Sequence, residues 1–213
     1  MKIGVLAVQG AFIEHEHIIE KIGHTAIEIR QKDDLKGLDG LILPGGESTV
    51  QGQLLNKLDM MDDIRAMINN GLPTLATCAG LILLSEHIAD DDTVHIGTLP
   101  VTVRRNAYGR QLSSFVTNAD IKHIGNYPMT FIRAPYIKNV SDGVEVLATV
   151  DNHIVAARFN NQIGLSFHPE LTGDTRIHEY FLSTIISTLA KTNKNKSEQR
   201  RQNTIRRLGS DLL

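Results

Sequence analysis

The early apolar runs of this chain stop abruptly. "KIGVLAV" (2–8), "TAIEIR" (25–30), "DGLILPGGES" (39–48) and "LPTLATC" (72–78) are short and rich in β-branched or aliphatic residues, and each ends at small, polar or turn-forming residues. Runs without polar alternation suit strands covered on both faces, as in a parallel sheet. Helical spacing lies between them. In "AFIEHEHIIEKIG" Phe12, His15, Ile19 and Ile22 share one stripe, and Gly23 suits the position just past a helix end. Two helical segments, about Thr49–Leu58 and Met60–Asn69, follow the third run, and "AGLILLSEH" opens a helix after the fourth. Such alternation predicts an α/β fold: a three-layer, doubly wound, mostly parallel sheet flanked by helices.

The pattern changes from Gly97 to Phe167. "GTLPVTVRR", "SSFVTN", "MTFIRAP", "VEVLATV", "HIVAARF" and "QIGLSFH" read as strands, with a tight hairpin around Asp151-Asn152, so antiparallel strands are added in the second half. A last helix is expected over about Asp174–Leu189, with Ile177, Phe181, Ile185 and Leu189 on one stripe. One domain is expected over 1–190. The tail, 191–213, carries seven Lys/Arg against two Asp/Glu, and a basic, flexible appendage on an acidic body is expected there.

A formal net charge of −2 gives no overall pull toward nucleic acid or membrane. The single cysteine excludes an internal disulfide framework and any Cys-rich zinc site. No signal-peptide pattern and no apolar run of membrane-spanning length is present, so a cytoplasmic protein is expected.

That one cysteine, Cys78, stands where a strand pattern ends and a helix pattern begins, with Ala76, Ala79 and Gly80 around it. Strand, tight turn and helix make a nucleophile elbow, which exposes a side chain at the carboxyl edge of the sheet beside the helix's free N–H groups. The stretch alone suits a buried structural cysteine equally well. A thiol nucleophile needs a base and an orienting partner. His15 and His17 are two apart on a helix and cannot share a metal from one face, and His87, His95 and His123 lie in polar stretches expected to be solvated. His168 ends an apolar strand in "GLSFHPE", and in an extended segment Glu170 would point to the same side. A solvated strand-end histidine is the other reading. "LILPGGES" places two glycines after a buried strand, where backbone N–H groups could complete an oxyanion site, or form a plain turn.

Taken together and in order, "PGGES", "TCAG" and "HPE" resemble the triad glutamine amidotransferases. Ala76 stands where that family's elbow usually has glycine. "GVLAVQGAFIEH", "LPGGEST", "TCAGLILL", "RRNAYGRQLSSF", "FIRAP" and "SFHPELTGD" are similar to the glutaminase subunits of pyridoxal 5′-phosphate synthases, to about Ala190. The resemblance implies hydrolysis of L-glutamine to glutamate and ammonia, and delivery of the ammonia to a separate synthase subunit. It implies Cys78 as nucleophile, His168 as base and Glu170 as its partner. Gly46, Glu47, Ser48, Arg105, Ile132 and Arg133 would line the glutamine site, and backbone N–H groups of Gly46 and Ala79 would hold the oxyanion. No metal or organic cofactor is called for. The rival readings are a glutaminase serving another acceptor, a regulatory amidotransferase-like subunit, and a cysteine hydrolase of the same topology.

Overall fold

A computed structural model of the chain describes residues 1–105 and 114–190. The basic tail, 191–213, and most of "NAYGRQLSS" lie outside the described residues, so the expected domain boundary at 190 falls at their edge.

The first half alternates as expected: β1 (Lys2–Leu6), α1 (Phe12–Lys21), β2 (Thr25–Ile29), β3 (Gly40–Leu43), α2 (Ser48–Lys57), α3 (Met61–Asn69), β4 (Thr74–Thr77) and α4 (Ala79–Leu84). The strands that follow are β5 (Ser85–Ile88), β6 (Leu99–Arg104), β7 (Ser114–Ile121), β8 (Gly125–Ile132), β9 (Tyr136–Val140), β10 (Glu145–Val150), β11 (His153–Phe159) and β12 (Gln162–Leu165). A helix, α5, covers residues 176–190.

The main sheet runs β2-β1-β3-β4-β12-β11-β9-β6-β5, with β10 beside β11. β2, β1, β3, β4 and β12 are parallel neighbours, and the ladders from β12 through β11 and β9 to β6 are antiparallel. β7 and β8 form a separate two-stranded antiparallel sheet.

Apolar runs that cover both faces leave a core on each. Ile42 and Leu75 join Ile19 of α1 and Ile177, Phe181 and Ile185 of α5. Their chain neighbours Leu41, Leu43 and Ala76 face the opposite core, with Leu55 of α2, Ile64 and Ile68 of α3, and Leu81 of α4. That division is the three-layer arrangement expected of continuous hydrophobic strands.

Several local expectations change. The helix after Cys78 is only six residues long, because Ser85 is extended (ψ 141°) and starts β5. β9 was not legible as a strand. The Asp151-Asn152 hairpin is present, with both residues at positive φ (48° and 61°), as a two-residue turn of the favoured twist demands. Leu189 is 44% exposed and lies outside the core stripe. No helix among the described residues is long and apolar enough to cross a membrane.

Candidate active site

β4 and β12 are adjacent and parallel, with Thr77 opposite Leu165. Their next residues therefore emerge together at the carboxyl edge. Cys78 N–H donates to Leu165 O at 2.8 Å, and His168 N–H donates to Thr130 O of β8 at 2.8 Å. The backbone turns sharply at Cys78, which has φ 48° and ψ −104°. A non-glycine residue there is strained, and such strain persists only where the surroundings impose it. Gly80 makes the turn possible: a Cβ on it would overlap the Leu43 carbonyl, so α4 packs against β3 with backbone touching backbone.

Cys78 is 7% exposed, so the elbow does not project into solvent as expected. It lines a pocket of about 430 Å³. The walls come from Gln9 and Ala11 before α1, the Gly45–Ser48 loop, Ala79 and Ile82 of α4, Arg105, and Ile132, Arg133 and Pro135 after β8. All of the expected site residues except Glu170 line this pocket, and Glu170 stands behind it.

His168 Nδ1 lies 2.6 Å from Glu170 Oε1. This contact is not made by an extended segment. Pro169, Glu170 and Leu171 form a 3-10 turn with proline at its start, where proline's missing N–H costs nothing, and the turn folds Glu170 back onto the ring. With Nδ1 occupied, Nε2 is the ring nitrogen left for the Cys78 thiol. Burial opposes the His168 proton, but hydrogen bonds with Cys78 and Glu170 outweigh it, and its pKa is pushed up to about 10. Burial likewise opposes ionisation of Glu170, yet His15 and His168 beside it hold its carboxyl below the usual range. Both shifts favour an imidazolium on a carboxylate.

The glycine loop is held from α1's side. Gly45 O accepts from Ala11 N–H at 3.0 Å, and Gln9 Oε1 accepts from Glu47 N–H at 2.8 Å. Gly10, at φ 110°, has no room for a side chain, since a Cβ would overlap Gly45 O. Gln51 Nε2 donates to Gln9 O at 2.9 Å and Pro44 O at 3.3 Å. The Glu47 carboxylate caps α2, accepting from Thr49 and Val50 N–H, and those bonds outweigh its burial and keep it anionic. Arg105 Nη1 sits 3.3 Å from Asp91 Oδ2, and its buried Nε has no partner among the described residues.

Four positions around the site were not singled out as site residues from sequence: Gln9, Gly10, Gln51 and His15. His15 is fully buried behind Glu170 rather than an ordinary helix histidine. A signal existed, since it occupies the apolar stripe of α1 between Phe12 and Ile19. His95 also contradicts expectation. It is buried, because Gly52 of α2 leaves space for its ring, and burial lowers its pKa.

A family model described as the SNO glutamine amidotransferase family matches residues 5–187. A pyridoxal 5′-phosphate synthase subunit PdxT of Desulfitobacterium hafniense (strain Y51) is 57% identical over 186 residues, 87% of this chain and 94% of the relative. One from Streptococcus pneumoniae (strain ATCC 700669 / Spain 23F-1) is 53% identical over 187 residues, covering 86% and 97%. A crystal structure titled glutamine amidotransferase superposes with TM-score 0.83 at 41% identity, over 86% of this chain and 98% of that one. The fold alone is shared, at 17% identity and TM-score 0.63, with PurLQS from Thermotoga maritima, over 88% of this chain and 98% of that one.

Proposed function

The chain belongs to the SNO glutamine amidotransferase family, and from that premise we propose that it is the glutaminase subunit of a pyridoxal 5′-phosphate synthase. It hydrolyses L-glutamine to glutamate and ammonia, and a synthase partner takes up the ammonia. The observation that carries the reading is the line of Cys78 and His168 in the pocket wall with Glu170 behind His168.

Glutamine enters with its amide toward Cys78. Arg105, whose buried Nε has no partner among the described residues, suits the α-carboxylate, because a guanidinium presents several fixed donors to a carboxylate. Glu47, held anionic at the same wall, suits the α-ammonium. Ser48, Ile132 and Arg133 shape the remaining wall.

The Cys78 sulfur, its proton passed to His168, attacks the amide carbon. Negative charge builds on the amide oxygen, where the N–H groups of Ala79 and Gly46 receive it; one such donor is worth about 3 kcal/mol. The tetrahedral intermediate collapses as the C–N bond breaks, His168 gives its proton to the departing nitrogen, and ammonia leaves. The γ-glutamyl thioester remains. Neutral His168 then takes a proton from water, hydroxide adds to the thioester carbon, and the C–S bond breaks, so that glutamate departs, its new carboxyl giving its proton to solvent, and the sulfur is returned as thiolate beside protonated His168. Glu170 keeps the ring oriented throughout.

The test uses the full chain with amide-¹⁵N glutamine, with and without the synthase subunit. Expected are glutamate and ammonia from both, faster turnover with the partner, and label in the pyridoxal phosphate ring. No glutamate from either preparation overturns the glutaminase, and unlabelled product overturns the acceptor.

A further inference from the structure

Behind the pocket runs a buried line of groups that the glutaminase steps do not use. Glu170 Oε2, the carboxylate oxygen turned away from His168, has His15 Nε2 of α1 facing it at 3.3 Å, an ion-pair distance without hydrogen-bond geometry, and no hydrogen-bond partner among the described residues. His15 Nδ1 lies 2.9 Å from Nε2 of His178 in α5. Both rings are fully buried, and His178 Nδ1 reaches no partner among the described residues. Thr77 Oγ1, one residue before the nucleophile, lies 3.3 Å from His15 Nε2.

The protons on this line can be assigned by elimination. An ionised carboxylate only accepts, so a bare nitrogen facing Oε2 would set lone pair against negative charge. His15 Nε2 therefore carries a hydrogen, which the Thr77 hydroxyl oxygen accepts, and the N–H dipole lies beside Oε2. Burial holds His15 neutral against the pull of Glu170, so its Nδ1 is bare and accepts. The donor is His178 Nε2–H. His178 is then neutral through Nε2, as its burial favours, and the orphan on the line is a lone pair. The opposite tautomers would bury an unsatisfied N–H and turn a lone pair toward the carboxylate, the costlier arrangement on both counts.

We propose that His15 is a positioning residue of the glutaminase, anchoring the second oxygen of Glu170, and that His178 fixes the tautomer in which it does so. A carboxylate held through one oxygen can swing about its own bond, whereas one held through both cannot. The 2.6 Å bond to His168 Nδ1 then sets the direction of His168 Nε2. The anchor also favours the charged carboxylate in a site that excludes water. The titratable groups facing Glu170 are His168 beside it, His15 from α1 and Tyr127 from β8, whose phenol burial pushes up to about 12; Glu14, on α1 itself, acts weakly on His15, and Cys78 acts through His168.

The kinetic test rests on the glutaminase reading, so a second measurement is independent of it. His15→Leu fills similar volume without a donor; His15→Gln can return an N–H toward Oε2. With the full chain and glutamine, His15→Leu should lower kcat by roughly tenfold or more with little change in KM, as expected when a polar N–H beside a buried carboxylate is lost. Its acid limb should move up by on the order of one pH unit, because the buried Glu170 carboxyl then protonates sooner. His15→Gln should recover most of both, and His178→Leu should shift the limb in the same direction by less. The independent measurement is the pH dependence of Cys78 alkylation by iodoacetamide, which consumes no glutamine, and its acid limb should move in parallel. Equal losses in His15→Leu and His15→Gln with unmoved limbs would mean that the ring only fills space, and would overturn the proposal. A shifted alkylation limb in a protein that fails to hydrolyse glutamine would sink the function and leave this assignment standing.

Discussion

At the residue scale the site is a set of conflicts resolved by neighbours. Cys78 sits at a backbone conformation that side chains avoid, buried, beside a histidine that holds its proton. Two substitutions separate the chemistry from the strain. Cys78→Ala removes the sulfur but keeps the Cβ, so hydrolysis should vanish while the melting temperature changes little. Cys78→Gly should be equally inactive yet melt above Cys78→Ala, because glycine relieves backbone strain of about 1–3 kcal/mol and gives back only part of it as unfolded-chain entropy. Paired thermal scans check this. If Cys78→Gly melts below Cys78→Ala, the turn is not strained in the way its angles imply. Glu170→Gln should cost less activity than His168→Ala, since an amide can still hold the ring, though it must then face His15 Nε2–H with either its oxygen or its nitrogen. Equal losses in the two purified variants would show that Glu170 does more than orient.

At the element scale the pocket is a property of close packing between neighbouring segments. Gly80 lets α4 meet β3, and Gly10 lets the turn before α1 meet the Gly45 carbonyl. Gly80→Ala touches no substrate, but it must push α4 outward and carry Ala79 with it. It should destabilise the protein by about 1–3 kcal/mol, as overpacking does, and lower kcat well beyond the fall in folded protein. Urea unfolding and turnover of the same preparation measure both; unchanged kcat per folded molecule would show that α4 does not position the oxyanion donor. These contacts also explain what the sequence made legible. The strands of the parallel half and the two cores could be read because each continuous apolar run has one stable environment. Cys78, His168 and Glu170 could be read because they stand where such runs end. His15 and Gln9 could not, because their roles depend on residues 155 and 38 positions away in the chain, Glu170 and Glu47, and no local pattern encodes that. β9 was hidden because "YIKNV" is short and half polar, and only pairing with β6 and β11 makes it a strand.

At the scale of the whole molecule, the family match ends at residue 187 and the basic tail follows it. Deleting 193–213 is expected to leave the melting temperature nearly unchanged, and a large fall would show that these residues belong to the fold. The buried histidines make a stronger prediction, about pH. His15 and His178 are lowered from the ordinary 6.5 by burial. Below pH 6.5 the unfolded chain therefore takes up protons that the folded one refuses, and stability is lost as pH falls. Glu170, also depressed, adds loss in the same direction, but only below its ordinary 4.5. His168 acts oppositely: raised to about 10, it contributes stability that is whole below 6.5 and lost as pH rises through about 10. Stability should thus peak near neutrality and fall on both sides. On the acid side, between pH 6.5 and about 5, Glu170 does not yet titrate, so the buried rings set the slope. Each refused proton is worth up to about 1.4 kcal/mol per pH unit. His178→Gln can keep a donor toward His15 Nδ1 but cannot bind a proton. Its stability, measured by urea unfolding across that window, should fall less steeply than that of the wild type by up to about 1.4 kcal/mol per pH unit. Parallel slopes for the two proteins would mean that His178 takes up its proton inside the fold, and that burial does not hold this ring behind Glu170 and His15 neutral.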